Sequence, residues 1–271
     1  MRNRKLLYIL LIACAGKAMA AKEPTPEELM EKNRQAQQFR SLKAECNLST
    51  SGGKRRPSTK SFTWLRKRQD NQTHFNTLTT FNAPAEIKGQ AILFLERTAN
   101  KNEISMYLPA YKKVRRVEAS QQKSGFMSSD FSYADMTTFQ NKEYNYQEIG
   151  KGKCPTADAK TFECRTIEAR PKEQATIDRT GYTRSLVWVR TDQFTSTQVE
   201  HFDENNKLLK RLTFQNSKKM GTGDDGQDLY FAHELLMHSL ISDQKTQLTF
   251  DSVSVNLEVK DSSFSLQNFG K

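Results

Sequence analysis

The sequence of 271 residues predicts a mainly β protein built on one strongly curled antiparallel sheet. Three observations carry that expectation. From Leu42 onward apolar and polar residues alternate with period two, the mark of strands with one buried face. Clusters of turn-forming residues interrupt the alternation at short intervals. No internal repeat or low-complexity linker divides the chain, so residues 21–271 are expected to form a single domain.

Composition removes several alternatives. The chain holds 12 Gly, 7 Pro and 4 Cys with 10% aromatic residues, which fits neither a collagen-like, a disordered nor a disulfide-scaffold class. Mean hydropathy is −0.76. Beyond residue 20 the longest apolar run is Ala91-Ile92-Leu93-Phe94-Leu95, far short of the roughly 20 residues a membrane-spanning helix needs.

Residues 1–20 have the form of a signal peptide. Arg2, Arg4 and Lys5 precede an apolar stretch from Leu6 to Gly16, and Ala18-Met19-Ala20 places small residues where a signal peptidase reads them. Export with cleavage near Ala20, before Ala21, is expected. The alternative is lipidation at Cys14, because Leu11-Ile12-Ala13-Cys14 also fits a lipobox. Loss of residues 1–20 removes four basic and no acidic side chains, lowering the formal charge from +11 to +7.

A helix opens the mature chain. Thr25 is its cap, Pro26 occupies the first turn and Glu28 completes a capping box. Leu29, Met30, Asn33, Ala36, Gln37 and Arg40 follow at helical spacing, so the helix is expected to end near Ser41. Strands come next. Phe62 and Trp64 share one face; Phe75, Thr77, Thr79 and Phe81 share a face of the following strand. Leu186 to Val189 alternates, 195–202 and 207–214 read as a hairpin around Asp203-Glu204-Asn205-Asn206, and 247–259 alternates again. Turns are expected at Ser51-Gly52-Gly53, Asp70-Asn71, Lys88-Gly89, Asn100-Lys101-Asn102, Gly150-Lys151-Gly152 and across 221–226.

Two further features stand out. Phe126, Met127, Phe131, Tyr133 and Met136 crowd one loop, in which Ser128-Ser129-Asp130 is placed to cap a short helix. So much apolar surface in a loop is either a plug that finishes the core or a wall offered to a ligand. Cys154 and Cys164, with nine residues including Pro155 and Asp158 between them, are placed to clip the base of a loop in an oxidising compartment. Cys46 is left over as a small buried residue.

The catalytic inventory is poor. His233 and His238 are five apart, which separates them on a helix and puts them on opposite faces of a strand, so they do not form a zinc pair. The glycine-rich 221–226 segment lacks the Lys-Ser/Thr end of a phosphate cradle. His74, His201, His233 and His238 are expected to have no neighbouring nucleophile-like Cys or Ser context. No cofactor or metal is expected. Lys54-Arg55-Arg56 and 112–116 are the dense basic clusters. They read as solvated strand edges or as contacts for anionic lipid or an acidic partner; without interleaved aromatics, and in an exported chain, they do not suggest nucleic acid.

One stretch goes beyond pattern. Segments 81–90, 106–110, 113–117 and 124–135 occur in order: Phe81-Asn82-Ala83-Pro84-Ala85, Met106-Tyr107-Leu108-Pro109-Ala110, Lys113-Val114-Arg115-Arg116-Val117 and Ser124-Gly125-Phe126-Met127-Ser128-Ser129-Asp130-Phe131-Ser132-Tyr133. This resembles the outer-membrane lipoprotein-sorting protein family, the LolA-like superfamily of periplasmic carriers. The resemblance implies a half-open antiparallel β-barrel of about 11 strands, with an N-terminal helix and short lid helices over a hydrophobic cavity. It also implies a non-enzymatic carrier that binds lipid or lipoprotein acyl chains and shuttles them between an inner-membrane transporter and an outer-membrane acceptor.

On that resemblance, the cavity or lid would comprise Phe62, Trp64, Phe75, Phe81, Leu93, Leu95, Met106, Leu108, Phe126, Met127, Phe131 and Tyr133. Arg115 and Arg116 match the family's basic pair and would meet a partner or a lipid headgroup. The alternative on the same scaffold is a regulatory or accessory protein that senses lipoproteins or assists an inner-membrane exporter of hydrophobic molecules.

Overall fold

A computed structural model describes residues 22–70, 73–97, 102–155, 161–265 and 268. The expected leader, with Cys14 and Ala20, lies outside the described residues, as do most of the Asn100-Lys101-Asn102 turn and Asn71. Among the described residues no helix is long and apolar enough to cross a membrane.

Helix α1 (Pro26–Gln35) begins as the capping box requires. The Glu28 amide donates to Thr25 Oγ1 at 3.2 Å, and the Thr25 amide donates to Glu28 Oε2 at 2.7 Å. It stops six residues short of Ser41. The sheet claims the intervening backbone: the Ala36 carbonyl accepts from the Tyr230 amide, the Arg40 carbonyl accepts from Arg68, and the Arg40 amide donates to Asn256 Oδ1. Backbone groups satisfied in this way cannot continue a helix.

Thirteen strands follow: β1 (Ser41–Gly52), β2 (Ser58–Arg68), β3 (Phe75–Ala83), β4 (Ala91–Leu95), β5 (Glu103–Leu108), β6 (Lys113–Val117), β7 (Tyr144–Lys153), β8 (Glu163–Pro171), β9 (Arg184–Arg190), β10 (Ser196–Phe202), β11 (Leu208–Thr222), β12 (Asp228–Ser239) and β13 (Gln244–Val255). All belong to one antiparallel sheet in the order 6-5-4-3-2-1-13-12-11-10-9-8-7. β6 and β7 are its free edges, so the sheet is not closed. The half-open antiparallel architecture agrees with the expectation; the strand number is 13 rather than about 11.

Several boundaries differ. β11 runs to Thr222, eight residues past Phe214, because β12 pairs with it along its whole length. β13 covers Gln244–Val255 rather than 247–259. Gly150-Lys151-Gly152 is not a turn but part of β7, beside a register shift between Glu148 and Gly150; glycine within a strand often marks such a bulge. A short helix, α2 (Gln174–Thr180), was not expected. It lacks an apolar stripe, and its one sequence signal is Gly181, which caps it at φ 79°.

β6 and β7 lie at opposite edges, so residues 118–143 must cross the inner face of the sheet. They do so as turns, not as the expected helix over Ser128 to Met136. The local polar groups are engaged elsewhere: the Asp130 amide donates to Thr246 Oγ1 at 3.0 Å, and Thr246 donates to Asp130 Oδ2 at 2.6 Å. Ser132 and Asp135 bond each other's backbone amides. Such side-chain to backbone bonds compete with helix. Met127 and Ser128 take positive φ values of 50° and 63°, and the lid is a 3-10 turn over Phe126–Ser128.

The ring of Phe126 is wholly buried. It meets Phe62, Phe81, Phe94 and Tyr133 at centroid distances of 6.3, 6.2, 6.3 and 5.7 Å. The crossing segment is thereby nailed to the β2–β4 part of the sheet.

Antiparallel pairing sorts the turns into two ends. One end collects the loops after β1, β3, β5, β8, β10 and β12; the other collects those after β2, β4, β7, β9 and β11. At the first end the β1–β2 turn lies directly on the β12–β13 turn. Gly53 has φ +59°, and a Cβ on it would come 2.6 Å from the Ser242 carbonyl oxygen, so a side chain there is excluded by both backbone conformation and space.

Two stability predictions follow from this packing. Phe126→Ala is expected to cost about 3–5 kcal/mol, and Gly53→Ala about 1–3 kcal/mol. Both are read from the midpoint and slope of a urea denaturation curve.

Candidate functional site

A cavity of about 330 Å³ lies between α1, the crossing segment and the inner face of the sheet. Its floor comes from alternate residues of neighbouring strands. Leu248 and Phe250 of β13, Phe231 and Leu235 of β12, and Leu212 and Phe214 of β11 all face it. Met30 and Asn33 of α1 and Phe131, Met136 and Phe139 of the crossing segment line it from above. The lining is mainly apolar. Rings dominate one side: Trp64 and Phe250 lie 5.3 Å apart and Phe231 and Phe250 4.9 Å apart.

The residues nominated from sequence divide into groups. Trp64, Phe75 and Phe131 line the cavity. Phe62, Phe81 and Phe126 are buried in the packed core beside it, and Met106, Met127 and Tyr133 pack against that core. Leu93 is buried, but it alternates with Ile92 and Phe94, the β4 residues of that core, and so lies on the other face of the sheet. Leu95 and Leu108 are half-buried at strand ends and do not reach the cavity. Arg115 and Arg116 are exposed on the edge strand β6. Alternation selects the inner face of β2 and β3; in β4, an unbroken apolar run, it cannot, and Ile92 and Phe94 rather than the expected Leu93 and Leu95 face the core. Nor does it say which part of the inner face the chain's own loop fills. Phe126 fills the space beside Phe62, Phe81 and Phe94, and the hollow runs from Trp64 and Phe75 past Leu42 of β1 to β9–β13.

Cys154 and Cys164 are joined by a disulfide with their Cα atoms 4.9 Å apart. Cys46 is buried, and burial pushes its thiol up, out of the range where it would react at neutral pH.

Polar groups of the cavity wall are the part that local sequence did not indicate. Asp135 accepts two bonds from the Tyr182 hydroxyl at 3.0 and 3.1 Å and one from the Ser132 amide at 2.7 Å. Lys210 Nζ lies 3.5 Å from it. Burial pushes the Asp135 carboxyl up, but Lys210, His201 and the Ser132 bonds outweigh it and hold the group below its usual range. His201 stacks on Tyr182 with ring centroids 4.0 Å apart. Burial lowers its pKa to about 4, so the imidazole is neutral at pH 7.

Arg66 spans the other side. Its guanidinium sits 3.9 Å from the Phe75 ring centroid and bonds Thr138 and Glu96. Arg179 pairs with Glu143 at 2.5 Å, and both side chains are buried. Charge in the wall is thus matched by opposite charge. The indole N–H of Trp64 is buried and has no hydrogen-bond partner among the described residues.

Ser185 Oγ lies 2.8 Å from His201 Nδ1, which corrects the expectation that no histidine has a serine neighbour. The two face each other across the β9–β10 ladder, an adjacency that local sequence does not reveal. This pair is not arranged as a hydrolytic triad. The Asp135 carboxylate bonds Tyr182 rather than the imidazole, and a histidine with pKa about 4 is a weak general base. Among the described residues no group of three or more His, Cys, Asp or Glu side chains is placed to hold a metal ion.

The fold has close counterparts among solved structures. A domain from Vibrio parahaemolyticus, described as an outer membrane lipoprotein-sorting protein domain, superposes with a TM-score of 0.78 at 22% identity, covering 89% of this chain and 96% of its own. A DUF1329 family protein from Desulfovibrio piger gives a TM-score of 0.79 at 22% identity, covering 90% and 97%. A LolA superfamily protein from Nitrosomonas europaea gives 0.66 at 17% identity, covering 90% and 99%.

No curated protein matches the sequence significantly. Residues 74–271 match the model of a protein family described as "uncharacterized protein". The match takes in every strand from β3 to β13. The chain belongs to that family, and it has the half-open β-barrel fold of the LolA superfamily and the lipoprotein-sorting domains.

Proposed function

We propose that this protein is a non-enzymatic periplasmic carrier. It takes a lipid or lipoprotein acyl chain into the cavity and moves it between an inner-membrane donor and an outer-membrane acceptor. The observation that supports this most is the hollow itself: about 330 Å³ lined mainly by apolar side chains, which the chain does not fill although Phe126 fills the adjoining space. Ligand sites span roughly 300–1,000 Å³, and a dry apolar cavity of roughly half this volume already binds benzene. Hydrocarbon entering such a space gains about 0.8 kcal/mol per buried CH₂, so affinity grows with chain length without charged contacts. The lipoprotein-sorting resemblance and the disulfide between Cys154 and Cys164 support an oxidising, exported setting.

The carrier reading also suits the wall's electrostatics. A neutral His201 adds no charge to a surface meant for hydrocarbon. Its acceptor capacity goes to Ser185, and Asp135 is satisfied by Tyr182, Ser132 and Lys210. The volume accommodates one slim chain more readily than several. A multiply acylated cargo would therefore displace α1 or the 131–141 segment, which together cover the cavity.

Delipidated protein is expected to bind a fluorescent fatty-acyl probe. Val199→Trp, which projects a large ring from β10 into the cavity, should weaken that binding at least tenfold while the urea transition stays cooperative. A wild-type protein that takes up no acyl probe of any length would overturn the carrier reading.

A pH prediction follows from His201. Its folded pKa of about 4 lies below its ordinary value of 6.5, so the unfolded chain binds the proton more readily. Stability is then complete above pH 6.5 and falls as the pH drops from 6.5 toward 4, by about 3 kcal/mol. Urea curves at pH 7 and 4.5 should show that loss, and His201→Gln should reduce it.

A further inference from the structure

One end of the sheet differs from the other in both charge and hydropathy. Among the described residues six large hydrophobic side chains are exposed, and four of them belong to this end: Tyr111 at 72%, Val114 at 46%, Leu240 at 36% and Ile241 at 55%. Tyr111 and Val114 flank the β5–β6 turn, and Leu240 and Ile241 form the tip of the β12–β13 hairpin. Beside them stand the two dense basic clusters. Lys54-Arg55-Arg56 occupies the β1–β2 turn, held against the Leu240-Ile241 tip by the close approach of Gly53 to Ser242. Lys112, Lys113, Arg115 and Arg116 surround Tyr111 and Val114, all exposed.

These cations are clustered, exposed and, among the described residues, without an acidic partner. At the opposite end four strand-end cations are matched: Lys67 with Asp261 at 2.6 Å, Arg68 with Asp224 at 3.1 Å, Arg190 with Asp192 at 2.6 Å and Lys219 with Asp228 at 2.6 Å. None of the seven cations in the two clusters forms an ion pair among the described residues. Glu86, Glu173, Asp178, Asp203 and Glu204 are the acidic side chains in the other turns of this end; Asp130 is close enough to feel the charge of Arg55, and Asp243 is engaged by His238 at 2.8 Å. An isolated exposed leucine or lysine carries no meaning. Apolar tips set among unpaired cations at one end are the combination that binds an anionic interface, the tips entering the headgroup layer and the cations meeting lipid phosphates.

We propose that this end of the sheet docks on the surface of an anionic phospholipid bilayer. Leu240 and Ile241 insert, and Tyr111 sits at headgroup depth. Lys54-Arg55-Arg56 and the 112–116 cluster supply the attraction. The surface is separate from the cavity and docks the protein whatever the cavity carries.

The test is vesicle co-sedimentation. The protein is exported from the full chain with Cys14→Ser, so that no acyl anchor can be attached, and mixed with phosphatidylcholine vesicles with or without 30% phosphatidylglycerol. Binding is expected to the anionic vesicles only, and to weaken in 0.5 M salt. Lys54→Gln/Arg55→Gln/Arg56→Gln should lower the partition coefficient at least tenfold, about fivefold being usual for each cation removed near an anionic surface. Ile241→Asp should lower it at least fivefold, and Leu257→Ser, an exposed apolar residue at the far end, should leave it unchanged.

Protein that ignores anionic vesicles overturns the proposal and turns the rim toward an acidic protein partner. Binding that survives the rim variants also overturns it. Because acyl-probe uptake is measured separately, failure of docking and failure of the carrier reading are distinguishable.

Discussion

The crossing of residues 118–143 over the inner face of the sheet is the constraint on which the rest of the structure depends. With β1 beside β13 in the middle of the sheet, the two halves of the chain wind outward to opposite edges. The chain can pass from β6 to β7 only by running over one face. A segment that does so must bury its own apolar residues and satisfy its own backbone. Phe126 meets the first need, surrounded by Phe62, Phe81 and Phe94. The reciprocal bonds between Asp130 and Thr246 on β13 meet the second. Once the crossing is fixed over β2–β4, the remaining inner face is left uncovered, and α1 spans it from the far side. The hollow is what lies between two covers neither of which is thick enough to fill it.

Much of this was legible in the sequence, and the failures have physical causes. Thr25 and Glu28 announced α1, because a capping box is a local device. The alternation of Phe62 with Trp64 and of Phe75 with Phe81 gave the buried face, because strand sides repeat every two residues. Helix length was overestimated because the apolar spacing continues through Ala36 and Gln37 while the sheet takes the backbone away. The Ser128–Asp130 cap was misread for the same reason: Asp130 has a better partner 116 residues later in Thr246. The ordered motifs over 81–135 cover β3 to the crossing segment, which explains why the architecture could be anticipated while the cavity's wall could not. That wall is drawn from strands distant in sequence. Asp135 meets Tyr182, and His201 meets Ser185, only when β9, β10 and the crossing segment are assembled.

Polar residues in an apolar hollow need a reason, since each loses hydration when buried. Here the charged ones have partners of opposite charge, although the Nε atoms of Arg66 and Arg179 are buried without a hydrogen bond among the described residues. Arg179 has Glu143, Arg66 has Glu96 and Thr138, and Asp135 has Tyr182, Ser132 and Lys210. Removing one partner of such a set costs far more than the set contributes, because the survivor is left buried and unpaired. These sets also join the covers to the sheet. Glu96 and Arg66, on the β2 and β4 side, hold Thr138 of the crossing segment, and Lys210 of β11 holds Asp135. The covers are thus pinned by polar contacts at their margins and lie on hydrocarbon at their centre.

That division has a mechanical consequence for a carrier. Hydrocarbon contacts are non-directional, so a cover that shifts over the hollow exchanges side-chain contacts for contacts with an incoming chain at little cost. The marginal hydrogen bonds and ion pairs are directional and oppose the shift until they break. On the carrier reading proposed above, opening would have to break a few polar contacts, notably those of Thr138, Asp135 and Asn33, the last of which ties α1 to the Phe194 carbonyl at 2.7 Å. The gain on loading is governed by the length of hydrocarbon buried. A carrier built in this way would hold an acyl chain by buried hydrocarbon and release it where a membrane or partner disturbs the margin.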